Sequence, residues 1–427
     1  MTIRKKAVAL AATTGVLLAM TACGGANNSN QGGGGNGEQI TLTVSVFSDF
    51  GYEELYKKYM EENPNIKIEE QRTAKATSAR DDLNTKIAAG SGLADVVAAE
   101  GDWMPELVQY DDQWVDLTDD SLKDRWFDWK SKKATTADGK LLGYGTDSAP
   151  NAICYRADVF ADAGLPTDRE EVAKLLEGGW EKYFEVGKEF MAKSNGVAWF
   201  DSSTPVFQGV ISQMPNPFEN SDDTPIPLDQ NTEMKKAYDL ITANMDQSAH
   251  LVAWTEDWTA AFQGPAKFAT TMCPSWMAGT LMEQAQGVTG WDIAPVFPGG
   301  ASNSGGSYLM VPTQSKHQEE AKKLAAWLTA PEQQLEAYKV KNTFPSQKKA
   351  VEAPEITDAK SEFYNNAPIG KIYGSMAAKI TVDPYTGKRY AQIRGIVGDA
   401  LGRVDTGAAS AEDSWQQAVE QYKNEVK

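Results

Sequence analysis

Histidine and cysteine are scarce in this chain of 427 residues, which has two histidines, His250 and His317, and three cysteines. The two histidines lie far apart in the sequence, and neither stands in a cluster of carboxylates or thiols. This argues against a histidine-based metal site and against a Ser-His-Asp triad, because both need an imidazole beside its partners. We therefore predict neither a metal site nor a cofactor.

Basic side chains are also fewer than acidic ones. The chain has 41 basic and 59 acidic side chains, which gives a formal net charge of −18 at pH 7. Because a nucleic-acid interface needs basic residues to contact phosphates, we predict no nucleic-acid partner. The hydrophobic content of 41% is nevertheless enough for a buried core, and the length is typical of two or three domains.

Long hydrophobic runs are missing except near the start of the chain. Residues 7–20 form an apolar run of 14 behind three basic residues, which is typical of a signal peptide and too short to span a bilayer. The tetrapeptide that follows, Met-Thr-Ala-Cys at 20–23, is similar to a lipobox. We predict a signal peptide over residues 1–22 and a lipid on Cys23. Ordinary signal cleavage near Ala22 is the alternative.

The segment after Cys23 is rich in Gly, Asn and Ser and predicts a flexible tether over residues 23–39. No later segment approaches 18 consecutive apolar residues. We therefore expect the protein on the extracellular face of the cell membrane, held there by its lipid anchor only, and we expect it to be a monomer.

Hydrophobic patterns after the tether alternate between two periods. The order begins strand, helix, strand, helix, strand, with strands at 40–47, 66–70 and 95–99 and helices at 52–62 and 78–89. This alternation predicts an α/β fold with mainly parallel sheets flanked by helices. Ligands of such sheets bind beyond the carboxyl ends of the strands. Those ends are Ser48-Asp49-Phe50 and Glu100-Gly101-Asp102-Trp103, and both offer a carboxylate beside an aromatic ring. The candidates for a binding site there are Asp49 and Asp102.

Catalytic motifs are absent from the sequence: there is no G-x-S-x-G elbow, no H-E-x-x-H and no phosphate loop. A glycosidase needs only two carboxylates, so a surface glycoside hydrolase or lyase remains an alternative. Our prediction is a binding protein with no catalytic residues.

Several tryptophans stand beside polar residues in predicted loops: Trp103, Trp199, Trp254, Trp258 and Trp276. An aromatic ring can cover the apolar face of a pyranose, while Asp, Asn or Glu pairs with its hydroxyls. Taken singly, a tryptophan is more often part of a core. Together, these residues point to a carbohydrate site.

The predicted export of the protein also bears on the two remaining cysteines, Cys154 and Cys273. In an exported protein they are a natural disulfide pair, and two separate buried thiols are the alternative.

The sequence resembles the extracellular solute-binding proteins of family 1, the maltose-binding-like proteins of carbohydrate ABC importers. The resemblance covers nearly the whole chain from Ile40 and depends on four groups of motifs. They are Asp138-Gly139-Lys140 with Ile153 to Phe160 and Ala163-Gly164-Leu165-Pro166; Ala261 to Lys267 leading to Ser275-Trp276; Pro295 to Gly299 with Gly305 to Pro312; and Phe344-Pro345-Ser346. The pairing of Cys154-Tyr155-Arg156 with Cys273-Pro274-Ser275-Trp276 resembles a Gram-positive subgroup that serves cello- or xylo-oligosaccharides.

The resemblance implies a two-lobed, periplasmic-binding-protein-like fold with the ligand cleft between the lobes. Residues 40–146 and 297–349 would form lobe one, and residues 147–296 and 350–427 would form lobe two with the C-terminal helices. It also implies that the strands of Cys154 and Cys273 are neighbours, which supports the disulfide.

By position in the family pattern, the ligand-binding residues come from both lobes and from the crossover between them. They are Asp49, Asp102, Trp103, Asp147, Asn151, Asp201, Trp258, Trp276, Gly306 and Ser307. We add Trp254 as a predicted ligand residue because it is one of the tryptophans that stand beside polar residues.

The resemblance implies a substrate-binding lipoprotein that captures a neutral oligosaccharide and delivers it to the transmembrane permease subunits of an ABC importer. We expect a β-linked di- to tetrasaccharide, and α-1,6-linked or fucosylated oligosaccharides are alternatives. A non-sugar ligand in the same fold, such as a polyol or a peptide, and a passive glycan-adhesion protein are further alternatives.

Overall fold

The computed structural model describes residues 39–426. The predicted signal peptide, the predicted lipidation site Cys23 and nearly all of the predicted tether lie outside this range. The strands are β1 Ile40–Phe47, β2 Ile66–Thr73, β3 Val96–Glu100, β4 Tyr144–Gly145, β5 Ile153–Arg156, β6 Ala198–Phe200, β7 Phe268–Met272, β8 Trp291–Ala294 and β9 Ser307–Met310.

Helices occupy most of the remaining chain. They are α1 Glu53–Glu62, α2 Ala76–Ala89, α3 Met104–Leu107, α4 Asp128–Lys133, α5 Ala157–Asp162, α6 Arg169–Leu176, α7 Trp180–Met191, α8 Ser203–Ile211, α9 Thr232–Thr242, α10 Glu256–Ala260, α11 Ser275–Gln284, α12 Gln318–Leu328, α13 Pro331–Lys341, α14 Lys348–Val351, α15 Pro354–Thr357, α16 Ile369–Ala378, α17 Tyr390–Asp405 and α18 Ala411–Glu425. Within residues 39–426, none of them combines the length and the apolar character that a bilayer crossing requires.

The first sheet has the strand order β2-β1-β3-β9-β4. Strands β2, β1 and β3 are parallel, and β9 runs antiparallel to both β3 and β4. Leu42, Val44 and Val46 alternate along β1 and are buried in a core that also contains residues of α1 and α12. β1 lies between β2 and β3, and its period-2 pattern places Leu42, Val44 and Val46 on the face that is buried in this core.

The second sheet has the strand order β6-β7-β5-β8 and is covered on both faces. Along β5, Ile153 and Tyr155 belong to one core cluster and Cys154 belongs to another. Successive side chains of a strand point to opposite faces, so β5 separates the two clusters.

The predicted fold class is confirmed: two sheets flanked by helices form an α/β structure. The expectation of mainly parallel sheets needs correction, because β9 and β5 are each antiparallel to both neighbours. The physical reason is the route of the chain. Ser307, the first residue of β9, pairs with Glu100 at the carboxyl end of β3, so a chain arriving at that edge must run in the opposite direction.

Three extended segments pass between the two sheets: residues 146–152, 302–307 and 343–347, defined here as the crossing segments. Backbone hydrogen bonds join them from Thr146 N to Ser307 O at 2.9 Å, from Ser148 N to Phe344 O at 2.7 Å, and from Asn151 N to Ser302 O at 2.9 Å. The first segment thus contacts both of the others.

A disulfide joins Cys154 on β5 to Cys273, which follows β7, as predicted. The strands β5 and β7 are antiparallel neighbours, and the two Cα atoms lie 5.4 Å apart. Both cysteines are fully buried between the second sheet and α11 and α16.

Replacing both cysteines by alanine should lower the free energy of unfolding by about 5 kcal/mol in the chain-entropy model, because the bond closes a loop across a sequence separation of 119. Denaturant unfolding of wild type and variant, with and without dithiothreitol, measures this. Reductant should destabilise only the wild type. Equal stability of the two proteins would contradict the prediction.

Candidate ligand-binding site

A cleft of about 780 Å³ lies between the two sheets. Its walls come from the loops after β1 and β3, from the crossing segments, from the loop before α10, and from the first turns of α11 and α17. The carboxyl ends of the parallel strands therefore face the cleft, as an α/β fold predicts.

Most of the sequence-predicted ligand residues are brought together along this cleft. Those that line it are Asp49, Asp102, Asp147, Asn151, Trp254, Trp258, Trp276, Gly306 and Ser307. Two predicted residues, Trp103 and Asp201, do not line it and are described below.

One wall of the cleft is a group of three tryptophans, defined here as the tryptophan wall: Trp254, Trp258 and Trp276. Trp254 and Trp276 are 54% and 38% exposed, and their ring centroids lie 5.7 Å apart at an interplanar angle of 33°. Trp258 is buried and its ring centroid lies 4.8 Å from that of Trp254. Two large rings thus remain open to the cleft while the third supports them.

Backbone conformation also sets the position of Trp254. Its φ is +71°, in the left-handed region that side chains other than Gly seldom adopt. Such strain persists only where the surrounding structure imposes it, and it is common at binding sites.

Asp201 supports the tryptophan wall from behind rather than lining the cleft. It is fully buried, and its Oδ2 accepts hydrogen bonds from Trp258 Nε1 at 2.8 Å and from Thr271 Oγ1 at 3.1 Å. Burial raises the pKa of Asp201 to about 6, against the effect of these hydrogen bonds. Asp201 therefore supports two residues that line the cleft, Trp258 and Thr271, and does not itself line it in this structure.

Trp103 and Trp199 are core residues. Trp103 is buried and packs against Phe47 with ring centroids 5.2 Å apart. Trp199 lies in the middle of β6, where its ring packs against Phe160 and Tyr183 in the core of the second sheet. Their polar sequence neighbours were a misleading signal, because the residue next to a polar position in the sequence can still point into a core. Trp199 points to one face of β6, since successive side chains of a strand alternate, and Trp103 turns into the core of the first sheet from the helical turn after β3.

The opposite wall carries charged groups from elements far apart in the chain. Asp102, which follows β3, forms an ion pair with Arg394 of α17. Asp102 Oδ2 and Arg394 Nη1 lie 3.3 Å apart. Asp49, which follows β1, forms ion pairs with Lys341 at 2.8 Å and Arg72 at 3.3 Å. These pairs fix the carboxylates at the ends of the two strands.

Glu100 and Lys130 also line this wall and were not predicted as ligand residues. Burial, reinforced by the nearby Asp102, raises the pKa of Glu100 to about 7, while Arg394 and Arg80 oppose the rise. Burial lowers the pKa of Lys130 to about 7, and its Nζ lies 3.9 Å from the centre of the Tyr308 ring. Glu100 could have been found from its place beside Asp102, whereas nothing in the sequence pattern marked Lys130 or Arg394.

The crossing segments form the floor of the cleft. Asp147 Oδ1 accepts hydrogen bonds from Ser307 N at 2.8 Å and from Thr146 Oγ1 at 2.6 Å. Gly306 has a φ of +90°, and a Cβ there would lie 2.6 Å from Asp147 O. Only glycine fits this close approach, which brings backbone rather than side chain to the floor.

Asn151 lines the cleft, but its amide Nδ2 is already used within the protein. It donates to Ser302 Oγ at 2.9 Å and to Ser304 Oγ at 2.8 Å. Asn151 therefore joins two crossing segments, which leaves its carbonyl oxygen as its available polar atom.

Comparisons with known proteins agree with this architecture. A profile of the bacterial extracellular solute-binding proteins matches residues 54–363. A crystal structure of an extracellular solute-binding protein of family 1 is 43% identical, covers 90% of this chain and 99% of its own, and has a TM-score of 0.85. The chain belongs to this family of bacterial extracellular solute-binding proteins. No curated protein sequence matches it.

Two more distant structures share the fold. One is the binding protein from B. animalis subsp. lactis Bl-04 in complex with β-1,6-galactobiose, with 21% identity, coverage of 91% and 98% of the two chains, and a TM-score of 0.65. The other is the sugar-binding protein MalE from Xanthomonas citri, with 16% identity, coverage of 90% and 97%, and a TM-score of 0.70.

Replacing Glu100 by Gln should change how stability depends on pH. The pKa of Glu100 rises from its ordinary value of 4.5 to about 7 on folding, so between these values the folded protein binds more protons than the unfolded chain. The free energy of unfolding then falls as pH rises through this window, and E100Q removes that contribution. The stability difference between the two proteins should change by on the order of 2–3 kcal/mol between pH 5 and pH 8.

Denaturant unfolding at a series of pH values measures this difference, and Glu62→Gln, at an exposed position on α1, is the matched control. The control should follow the wild type at every pH. A difference between E100Q and wild type that stays constant with pH would show that Glu100 titrates normally.

Proposed function

We propose that this protein binds a neutral oligosaccharide between two lobes and delivers it to the permease subunits of an ABC importer. The observation that carries the proposal is the pairing of two exposed rings, Trp254 and Trp276, with polar groups from the other side of the cleft. The rings suit the apolar C–H faces of pyranose units, and the carboxylates suit their hydroxyls.

The shape and the charges of the cleft support a neutral, elongated ligand. Its volume of about 780 Å³ lies within the ~300–1,000 Å³ typical of small-molecule sites. Its acidic and basic groups are largely paired, as in Asp102–Arg394 and Asp49–Lys341, so the cleft offers no uncompensated cluster of one sign. The β-1,6-galactobiose and MalE proteins that share the fold are sugar-binding by their names.

For the lobes, we assign residues 40–146 and 297–349 to lobe one and residues 147–296 and 350–427 to lobe two. The crossing segments would then act as the hinge. A ligand that contacts both the tryptophan wall and Asp102 favours the closed arrangement, because only that arrangement makes both sets of contacts.

For the ligand and the location, we propose a β-linked di- to tetrasaccharide and a lipoprotein anchored through Cys23. The first rests on the resemblance to cello- and xylo-oligosaccharide proteins and the second on the lipobox-like tetrapeptide at 20–23. The anchor would hold the binding lobes beside the permease.

A thermal-shift screen of residues 24–427 against neutral mono- and oligosaccharides tests the proposal. An oligosaccharide at ~100 times its dissociation constant should add about 2.7 kcal/mol of stability, because it binds only the folded protein. The sugar should be recovered intact. No shift across the panel would contradict the sugar proposal, and recovery of cleavage products would favour a glycosidase.

Replacing Trp276 or Trp254 by Ala should weaken binding of the sugar found in the screen by about tenfold, equivalent to about 1.4 kcal/mol. Isothermal titration calorimetry measures the dissociation constant. Trp327→Ala is the matched control, because Trp327 is a partly exposed tryptophan of α12 that packs against Tyr59 outside the cleft. If the control loses as much affinity as the wall variants, the tryptophan wall is not the sugar platform.

A further inference from the structure

A second cavity of about 150 Å³ adjoins the ligand cleft, and it is defined here as the side pocket. The residues that line both cavities form its mouth: Phe47, Ser48, Asp49, Asp147, Ser307 and Thr343. The side pocket is thus entered from the cleft beside Asp147, on the side of the first sheet.

Five residues line only the side pocket and form its inner end: Phe50, Tyr52, Thr146, Gln334 and Ala337. Phe50, Tyr52 and Ala337 provide apolar surface. The polar groups of Thr146 and Gln334 are already hydrogen-bonded within the protein, since Thr146 Oγ1 donates to Asp147 Oδ1 at 2.6 Å and Gln334 Nε2 donates to Gly145 O at 2.8 Å. Gln334 Oε1 in turn accepts from Ser346 N at 3.0 Å.

The hydroxyl of Tyr52 is different. Tyr52 is only 3% exposed, yet among residues 39–426 its hydroxyl has no hydrogen-bond partner. Burial and the nearby carboxylates of Asp147 and Glu70 raise the pKa of Tyr52 above its ordinary value, so the hydroxyl stays protonated. The inner end of the side pocket therefore combines apolar walls with one O–H donor.

We infer that the side pocket binds a short O-acyl substituent of the oligosaccharide, whose carbonyl oxygen accepts a hydrogen bond from Tyr52 while its alkyl part packs against Phe50 and Ala337. The inference rests on the proposed function, because the substituted sugar unit would lie in the main cleft beside Asp147. It extends that function by naming the substituent that the site selects.

Size and polarity favour this group over other occupants. At ~30 Å³ per water molecule, the volume corresponds to about five non-hydrogen atoms, which suits an acetyl to butyryl group. A whole pyranose would bring several hydroxyls to walls that cannot pair with them, at a cost in free energy for each. A plain alkyl group would leave the Tyr52 donor without a partner.

Equilibrium dialysis against partially O-acetylated sugars tests the inference. The probe is a mixture of cellotriose, xylotriose, maltotriose and β-1,6-galactotriose, each treated with acetic anhydride to about one acetyl group per molecule and mixed with its unmodified form. Mass spectrometry of the bound and free fractions gives the ratio of monoacetylated to unmodified sugar. Wild type should enrich one monoacetylated species in the bound fraction at least fivefold, since a hydrogen bond contributes about that factor.

Two variants assign the enrichment to the side pocket. Tyr52→Phe removes the donor and should lower the enrichment about fivefold, and Ala337→Met fills the pocket and should abolish it, while both bind the unmodified sugar as wild type does. Tyr56→Phe is the matched control, because Tyr56 is a buried neighbour on α1 that lines neither cavity.

The outcomes separate the inference from the proposed function. Binding of unmodified sugar without enrichment of an acetylated form would overturn the inference and leave the proposed function intact. Enrichment that persists in Ala337→Met would also overturn it. If no sugar of the mixture binds in either form, the proposed function fails and the inference fails with it.

Discussion

The hydrogen bonds among the three crossing segments are the constraint on which the rest of the structure depends. Residues 146–152 contact both 302–307 and 343–347, so the two sheets meet along a narrow floor of paired backbone. Because backbone groups satisfy one another there, the floor needs few side chains, and Gly306 can bring its main chain against Asp147. The sheets consequently present the ends of their strands to one shared cleft.

The two walls of the cleft differ in chemistry: one presents apolar rings and the other presents charged groups. The tryptophan wall exposes apolar rings to water, which costs free energy. A ligand that covers the rings removes this cost. The buried Asp201 holds Trp258 behind this wall through the indole Nε1. The opposite wall keeps its charges near water by pairing them across long stretches of chain, as in the contact between Asp102 and Arg394. Glu100 and Lys130 are the least compensated groups, and this is why burial shifts their pKa values most strongly among the charged residues of the cleft.

The sequence allowed much of the fold to be predicted, because β1 and α1 have clear hydrophobic periods and α2 ends beside Gly90, which adopts the left-handed conformation that glycine favours. The direction of β9 could not be predicted, since it depends on where the chain returns from the second sheet.

In the site, spacing grouped Trp254 with Trp258, but it could not decide between exposed and buried positions, as Trp103 and Asp201 show. Lys130 and Arg394 were missed because their positions depend on tertiary packing of α4 and α17 rather than on any local pattern.

The central claim is that one ligand binds to groups from both sheets at once. A crystal structure of the protein with the oligosaccharide that stabilises it most tests this directly. The account predicts a pyranose ring stacked on Trp254 or Trp276, with hydroxyls of the same molecule bonded to residues such as Asp102 or Glu100 after the first sheet. A sugar that contacts only one of the two walls, or that binds outside the cleft, would contradict it.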